Sequence, residues 1–428
     1  MKGKALIIGG SLGGLFAGNC LRQIGWQVDI FEKTGDDLAS RGAGLGTHDE
    51  IFAVMEHLGI EVDESIGVSI TRRYNLNRKG LFDYSIPVLQ RQSSWAWFYH
   101  ALRRIFPDAH YHVERALVRV EQLQQGVRAH FDDGSCAEAD LLIGADGIRS
   151  TVRAQFAPQA QPQFAGYVGW RGILKEADFP RPLHKEVFEK YIFGIPDGQM
   201  FLGYPVPGVN GDLRLGHRGY NFVWYHPIGD ENVLRQLCTD DKGHCYGTAI
   251  APPLIRPELI RDIRALAKEK FAAPIAEVLA LTPQPFFQAI FDLACPSMVF
   301  GSVALLGDAA YVARPHVGMG VTKAALDALQ LAQRLESSHD IASALAGYND
   351  TQSRFGHAAV QWARHLGQHL EDQLKPPEAR NPKIRVQQPE VVLRQTGARI
   401  TEIPGLANVI DLPRSSGRVP TWVAAGGL

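Results

Sequence analysis

The feature that most constrains this chain is a glycine-rich turn, Gly9-Gly10-Ser11-Leu12-Gly13-Gly14. It lies between a short apolar run at residues 4–8 and a helical period over 13–24 that stops at Gly25. A second apolar run, 27–31, ends in Glu32. Strand, tight turn, helix and strand in that order read as a βαβ opening. At such a turn the backbone N–H groups and the positive end of the helix converge where a pyrophosphate can sit. The G-x-G-x-x-G template fits as Gly9, Ser11 and Gly14, with serine in the middle position, and its small side chain still permits a close phosphate approach. Glu32, 23 residues after Gly9, stands where a carboxylate accepts hydrogen bonds from an adenosine ribose. Its charge disfavours a 2′-phosphate, so FAD or NAD fits better than NADP. Leu12 within the turn and Lys33 after Glu32 complete this part of the predicted binding set.

Composition excludes several other functions. The length of 428 residues is enough for two to three domains, and 45% hydrophobic with 21% charged residues is ordinary globular usage. A net charge of -1 offers no basic field for nucleic acid or an anionic membrane. The five cysteines are scattered without a C-x-x-C pair, and Cys238, His244 and Cys245 lack a second ligand cluster, so no metal site is expected. Lys2 and Lys4 before the first apolar run imitate a secretory signal, but the placed glycines and the strand that follows argue for a cytoplasmic protein. No other stretch is long enough to span a bilayer.

Along the chain, Thr47 and Glu50 match a capping box before a helix at about 48–58. Strand-like sequence runs from 68 to 87, a helix over 95–106, a hairpin over 116–131, and a buried strand in DLLIGADG. Between about 165 and 226, five segments read as successive strands, DLRLGHRG among them. Helical patterns fill about 257–281, 319–336 and 341–372, with a strand at 302–308. The fold class is therefore α/β: a Rossmann-like nucleotide-binding domain interrupted by an inserted mixed β-sheet. The domain division is 1–67, 88–164 and 290–374 for the first, 68–87 and 165–289 for the second, and a wrapping tail over 375–428. Trp95 and Trp97 superficially match the W-x-W-x-I-P motif of flavin-dependent halogenases, but the sequence is WAWFYH, without Ile-Pro, and reads as core packing.

Two distant segments decide the kind of dinucleotide. LLIGADGIRSTVR at 141–153 and ALLGDAAYVARPHVGMG at 304–320 each end a buried strand with an acidic residue beside glycine. Either alone is a common turn pair. In this order, after the amino-terminal glycine turn, they resemble the aromatic-ring hydroxylases, single-component FAD monooxygenases with a para-hydroxybenzoate hydroxylase-like fold. The resemblance implies that Gly9, Ser11, Gly13, Gly14 and Glu32 hold the ADP half of FAD and that Asp308 binds the ribitol. It assigns Asp146 and Gly147 to a DG motif associated with FAD and nicotinamide, and Arg41 and Arg91 to the flavin phosphates and ribitol. It also directs N–H groups at Gly318, Met319 and Gly320 toward the flavin O2 edge. GYVGWRG (166–172), GYPVPG (203–208), YNFVWYHP (220–227) and GGS in place of GAG narrow the likeness to the 2,6-dihydroxypyridine 3-monooxygenase branch. Tyr311 and Lys323 depart from the histidine and asparagine frequent at those family positions.

What the resemblance implies is NAD(P)H-driven transfer of one oxygen atom from dioxygen to a small electron-rich aromatic or N-heteroaromatic ring, a hydroxypyridine such as 2,6-dihydroxypyridine being the first expectation. Such chemistry belongs to the cofactor, and the protein positions the ring, accepts a hydroxyl proton and excludes water. His316 is the first proton-acceptor candidate, since a neutral imidazole acts near pH 7. Tyr204, His217 and Tyr225, on expected roof strands, follow. The alternatives are a same-fold hydroxylase of a phenolic acid or fused heteroaromatic, an NAD-dependent Rossmann dehydrogenase, and a non-catalytic flavin-binding protein. A homodimer is compatible with this reading.

Overall fold

The computed structural model describes residues 2–35, 38, 44–382, 384, 387–406 and 409. In chain order its strands begin with β1 (Lys4–Ile8), β2 (Gln27–Phe31), β3 (Gly44–Gly46), β4 (Val68–Leu76), β5 (Phe82–Ser94) and β6 (Tyr111–His112). They continue with β7 (Leu117–Gln122), β8 (Val127–Phe131), β9 (Cys136–Ala139), β10 (Leu141–Gly144), β11 (Gln163–Lys175) and β12 (Tyr191–Gly194). The last six are β13 (Met200–Val206), β14 (Gly219–Pro227), β15 (Phe286–Ala294), β16 (Val299–Phe300), β17 (Val303–Leu305) and β18 (Tyr311–Val312).

One sheet has the order β16-β17-β10-β1-β2-β6, and all its pairs but β16–β17 are parallel. Its strands are continuous apolar runs such as ALII and LLI, as a sheet covered on both faces requires. A second sheet of nine strands, order β18-β15-β11-β14-β13-β12-β4-β5-β3, is largely antiparallel, and β7-β8-β9 form a small third sheet. The fold is thus a Rossmann-like unit carrying a large inserted mixed sheet. β5 runs unbroken through residues 87 and 88 to Ser94 and pairs there with Gly44–Gly46, so the second sheet draws on segments from both sides of that division.

The first three helices are α1 (Leu12–Gln23), which packs on β1 and β2, α2 (Asp49–His57) and α3 (Trp95–Ile105). Trp95 and Trp97 are half-buried and packed on the main core, with the Trp95 ring stacked 5.0 Å from Tyr99. The Thr47–Glu50 capping box does not form. The residue before α2 is His48, and the Thr47 hydroxyl donates instead to the Arg91 carbonyl at 2.8 Å, a bond available only once β5 is in place.

The remaining helices are α4 (Thr151–Phe156), α5 (Arg181–Leu183), α6 (Glu231–Leu237), α7 (Pro257–Lys270), α8 (Ala273–Leu281), α9 (Gly320–Ser337), α10 (Ile341–Asp372) and α11 (Pro389–Gln395). Alternation along β11 and β14 separates two faces of the large sheet. Val168, Trp170, Phe222 and Trp224 share an outer core with Ile263, Ala267, Ile275 and Val278 of α7 and α8. Each fully buried Phe or Ile there contributes roughly 1.5–3 kcal/mol. Tyr167, Val223, Tyr225, Met200, Leu202 and Tyr204 face inward, with Leu370 of α10 and Val392 and Leu393 of α11.

The tail is thereby tied to the second sheet. Arg73, buried in β4, donates to the carbonyls of Leu393 and Thr396 at 2.7 and 2.6 Å. DLRLGHRG, expected as a strand, is mostly loop. Asp212 accepts the Arg214 backbone N–H at 3.0 Å and closes a turn, and the strand starts only at Gly219.

Candidate active site

The sequence motifs meet at one edge because each follows a neighbouring parallel strand. Gly9 N–H donates to the Phe31 carbonyl at 2.8 Å, Ala145 N–H to Ile8 at 2.8 Å, and Leu306 N–H to Gly144 at 2.9 Å. Three hydrogen bonds therefore lace the ends of β2, β1, β10 and β17 in order, and place Glu32, Gly9, Asp146 and Asp308 along a single rim. This is the carboxyl edge of an open parallel sheet, where ligands of such folds sit.

The turn after β1 is shaped by close backbone approach. Gly9 has φ +109°, and a Cβ there would lie 2.4 Å from the Ala145 carbonyl oxygen. A Cβ on Gly14 would lie 1.8 Å from the Gly9 oxygen. Helix α1 starts at Leu12 after Ser11, whose side chain makes no capping bond, so its first N–H groups face outward unengaged by a cap. Glu32 Oε2 accepts the Gly10 N–H at 2.8 Å, and Oε1 accepts from the Thr34 backbone at 3.0 Å and hydroxyl at 2.5 Å. Oε1 thus accepts two donors, while Oε2 keeps a lone pair for a further donor. Tyr111, which the sequence reading passed over, donates to the Gly10 carbonyl at 2.8 Å. Lys33 is exposed beside Glu32, and Arg41 lies outside the described residues.

At the second motif, Asp146 Oδ2 accepts the backbone N–H groups of Thr151 and Val152 at 2.7 and 3.2 Å, while its buried Oδ1 has no hydrogen-bond partner among the described residues. Burial pushes its carboxyl above the ordinary carboxylate range. Gly147 follows with φ +75°. Arg153, seven residues beyond Asp146 in the same segment, was missed although its motif was seen. Its buried guanidinium donates to the carbonyls of Ile148, Ala160 and Ala309 at 2.5, 3.1 and 3.0 Å, pinning the DG segment to the GD segment.

At the third motif, Asp308 is solvent-exposed yet crowded by protein. That crowding pushes its carboxyl up, while the Lys323 ammonium pulls it down. After it, Gly318 takes a left-handed conformation (φ +65°), and α9 begins at Gly320 after Met319 with no side-chain cap. Arg91 is buried in β5, its guanidinium donating to the carbonyls of Glu64 and Gly67 at 3.1 and 3.3 Å.

The proton-acceptor candidates separate. His316 is buried, with Nε2 2.9 Å from the Tyr167 hydroxyl, its ring centroid 4.3 Å from that of Tyr225, and Nδ1 without a hydrogen-bond partner among the described residues. Burial, with His369 and Arg314 nearby, holds its pKa far below the usual imidazole value, so the ring is neutral. Arg314, bonded to Asp292 at 2.7 Å and Glu371 at 2.6 Å, fixes this loop to β15 and α10. Tyr204 is buried on the inner face, its hydroxyl 3.4 Å from the Gly44 carbonyl. His217 stands apart: it lies in the loop before β14, not on a strand, exposed and 3.4 Å from Asp212.

An uncapped helix end beside a glycine turn, a carboxylate rim and the orphaned Asp146 Oδ1 form a donor and acceptor set that fits FAD. Comparison with known proteins agrees. A family model described as FAD binding domain-like matches residues 164–292. The chain is 30% identical over 370 residues to 2,6-dihydroxypyridine 3-monooxygenase of Paenarthrobacter nicotinovorans, covering 86% of this chain and 91% of that one. It is 28% identical to the FAD-dependent urate hydroxylase of Klebsiella pneumoniae, covering 81% of this chain and 84% of that one. The solved structure of 2,6-dihydroxypyridine-3-hydroxylase from Arthrobacter nicotinovorans matches with a TM-score of 0.82 at 29% identity, over 89% of this chain and 96% of that one. Among the described residues no helix is long and apolar enough to cross a membrane. The chain belongs to the FAD-dependent aromatic-ring hydroxylases of the para-hydroxybenzoate hydroxylase-like fold, enzymes that use FAD, NAD(P)H and dioxygen to hydroxylate a ring.

Proposed function

We propose that this monooxygenase hydroxylates a hydroxypyridine such as 2,6-dihydroxypyridine, in the cytoplasm. The observation that carries the substrate is the 30% identity across 86% of the chain to a relative of that activity. The inner face of the large sheet supports it. Tyr167, Tyr204 and Tyr225 are buried there, while Asn221 Nδ2 and Arg171 Nε have no hydrogen bond among the described residues. A small ring bearing oxygen acceptors satisfies such donors at the roof of the flavin site.

Bound FAD supplies the electron transfer from NAD(P)H and the activation of dioxygen. The chain's own residues bind and orient it. In this reading the N–H groups at the start of α1 hold the pyrophosphate, Glu32 the ribose, Asp308 the ribitol and the Gly318–Gly320 turn the O2 edge of the ring. Asp146 and Gly147 shape the DG turn, and Arg153 holds it against the GD segment. The hydrogen bond between His316 Nε2 and the Tyr167 hydroxyl fixes that phenol at the roof, which makes His316 a positioning group as well as a proton-acceptor candidate. Turnover of a panel of hydroxypyridines, hydroxybenzoates and purines tests the substrate. NAD(P)H consumption coupled to a one-oxygen mass gain is expected with a hydroxypyridine, and coupling only with benzoates or purines overturns the proposal.

A further inference from the structure

Arg73 of β4 is 2% exposed, and its hydrogen-bond partners among the described residues are neutral. Nη1 donates to the carbonyls of Leu393 and Thr396, and Nη2 to the Gly397 carbonyl at 3.4 Å and to Oε1 of Gln90 at 2.9 Å. The guanidinium carbon stands 5.2 Å from the centroid of the Tyr191 ring. Three of these four acceptors come from one place, the carboxyl end of α11 and the residues after it, where a helix leaves carbonyls unpaired and favours a positive charge. An N–H just past a helix end ordinarily turns back to a carbonyl of the last turn, and Leu393 offers such a carbonyl. Here Arg73 occupies it, and Gly397, at φ +56°, sends its N–H to the carbonyl of His316 at 2.9 Å instead. The Gly397 Cα lies 3.5 Å from where a Cβ on Gly318 would stand. His316 Nε2 is bonded to the Tyr167 hydroxyl at 2.9 Å, and two residues later the chain turns left-handed at Gly318 into α9. Consecutive hydrogen bonds thus join β4, the tail and the loop before α9.

We propose that Arg73 is a positioning residue for the flavin: it fixes the carboxyl end of α11 so that the Gly397 N–H holds the His316 carbonyl, and thereby sets the Gly318–Gly320 turn. This rests on the reading that puts that turn at the O2 edge of the ring. N–H groups there stabilise the negative charge that the ring gains on reduction, so the placement of the turn weighs more on the reduced flavin than on the oxidised one. Without the guanidinium, the carbonyls of the buried Leu393 and Thr396 lose their donor. The Leu393 carbonyl is then open to the Gly397 N–H, and the His316 carbonyl loses its tie to the tail.

Arg73→Met keeps an apolar stem beside Tyr191 and removes every donor. Two measurements on the FAD-loaded protein test the proposal: amide hydrogen exchange over residues 314–321 and 389–400, and the midpoint potential of the bound flavin. Faster exchange in both segments is expected, with the potential lowered by about 30 mV, which for a two-electron couple is a tenfold weaker hold on the reduced ring. Arg73→Lys, which keeps the charge and a donor but not the fork, is expected to shift both readouts in the same direction by less, and it carries the test if the methionine variant does not fold. Faster exchange in the tail alone, with residues 314–321 and the potential unaltered, overturns the proposal and leaves Arg73 an anchor of the tail. Faster exchange in both segments with an unmoved potential upholds the tie and overturns the placement of the turn at the O2 edge.

Discussion

The carboxyl edge of the parallel sheet and the inner face of the nine-stranded sheet are built by different means. At the edge, backbone does most of the work: glycines that admit close approach, carbonyls and N–H groups linking neighbouring strand ends, and uncapped helix starts. The roof is made of side chains, with tyrosines from β11, β13 and β14 packed on a histidine loop and on a tail that returns from beyond α10. A backbone-built site tolerates little change in its small residues but permits wide variation around them. A side-chain-built face changes with each substitution, which suits a fold that keeps one cofactor and exchanges substrates.

If this contrast holds, the largest effect comes from the edge. Gly14→Ala forces a Cβ into the Gly9 carbonyl, and we expect a loss of roughly 3–5 kcal/mol of stability together with failure to retain FAD, read by thermal unfolding and flavin absorbance. A yellow variant of unchanged Tm breaks the contrast.

On the rim of the roof, Glu176 is buried against Arg218 at 2.7 Å. Burial alone raises its pKa, but hydrogen bonds from Arg218 and His184 outweigh that and bring it to about 2. A depressed carboxylate stabilises the fold above its unfolded pKa and loses that contribution as pH falls through the folded value. Stability should therefore drop by about 3 kcal/mol between about pH 4.5 and 2. Glu176→Gln should flatten that part of an acid-denaturation curve, and an unaltered curve would remove this pair from the roof's energetics.

Smaller effects separate binding from turnover. Asp308→Ala is expected to weaken FAD by about ten- to a hundredfold, as the loss of a charged acceptor predicts; unchanged occupancy after dialysis counts against it. His316→Ala is expected to slow hydroxylation about tenfold with FAD still bound, and Tyr167→Phe to reproduce most of that loss if the imidazole acts through the phenol. Should the histidine variant show an altered pH–rate profile that the Tyr167 variant lacks, His316 itself accepts the proton.

By itself the sequence determined the βαβ opening, the interrupted α/β architecture and the three acid-glycine segments, because each is a local pattern in which the next few residues set the backbone path. The same locality explains the misreadings. Thr47 and Glu50 have capping-box spacing, yet the Arg91 carbonyl, brought by a strand 44 residues away, takes the hydroxyl. His217 sits in strand-like sequence, yet Asp212 closes a turn around Arg214. Only the tertiary structure decided which carbonyls Arg153 joins, that the buried Lys323 lies against Asp327, and that Arg73 anchors residues more than 300 positions later. Those partners come from strand register and helix packing between distant segments, and a buried charge is settled by whichever group the fold delivers to it.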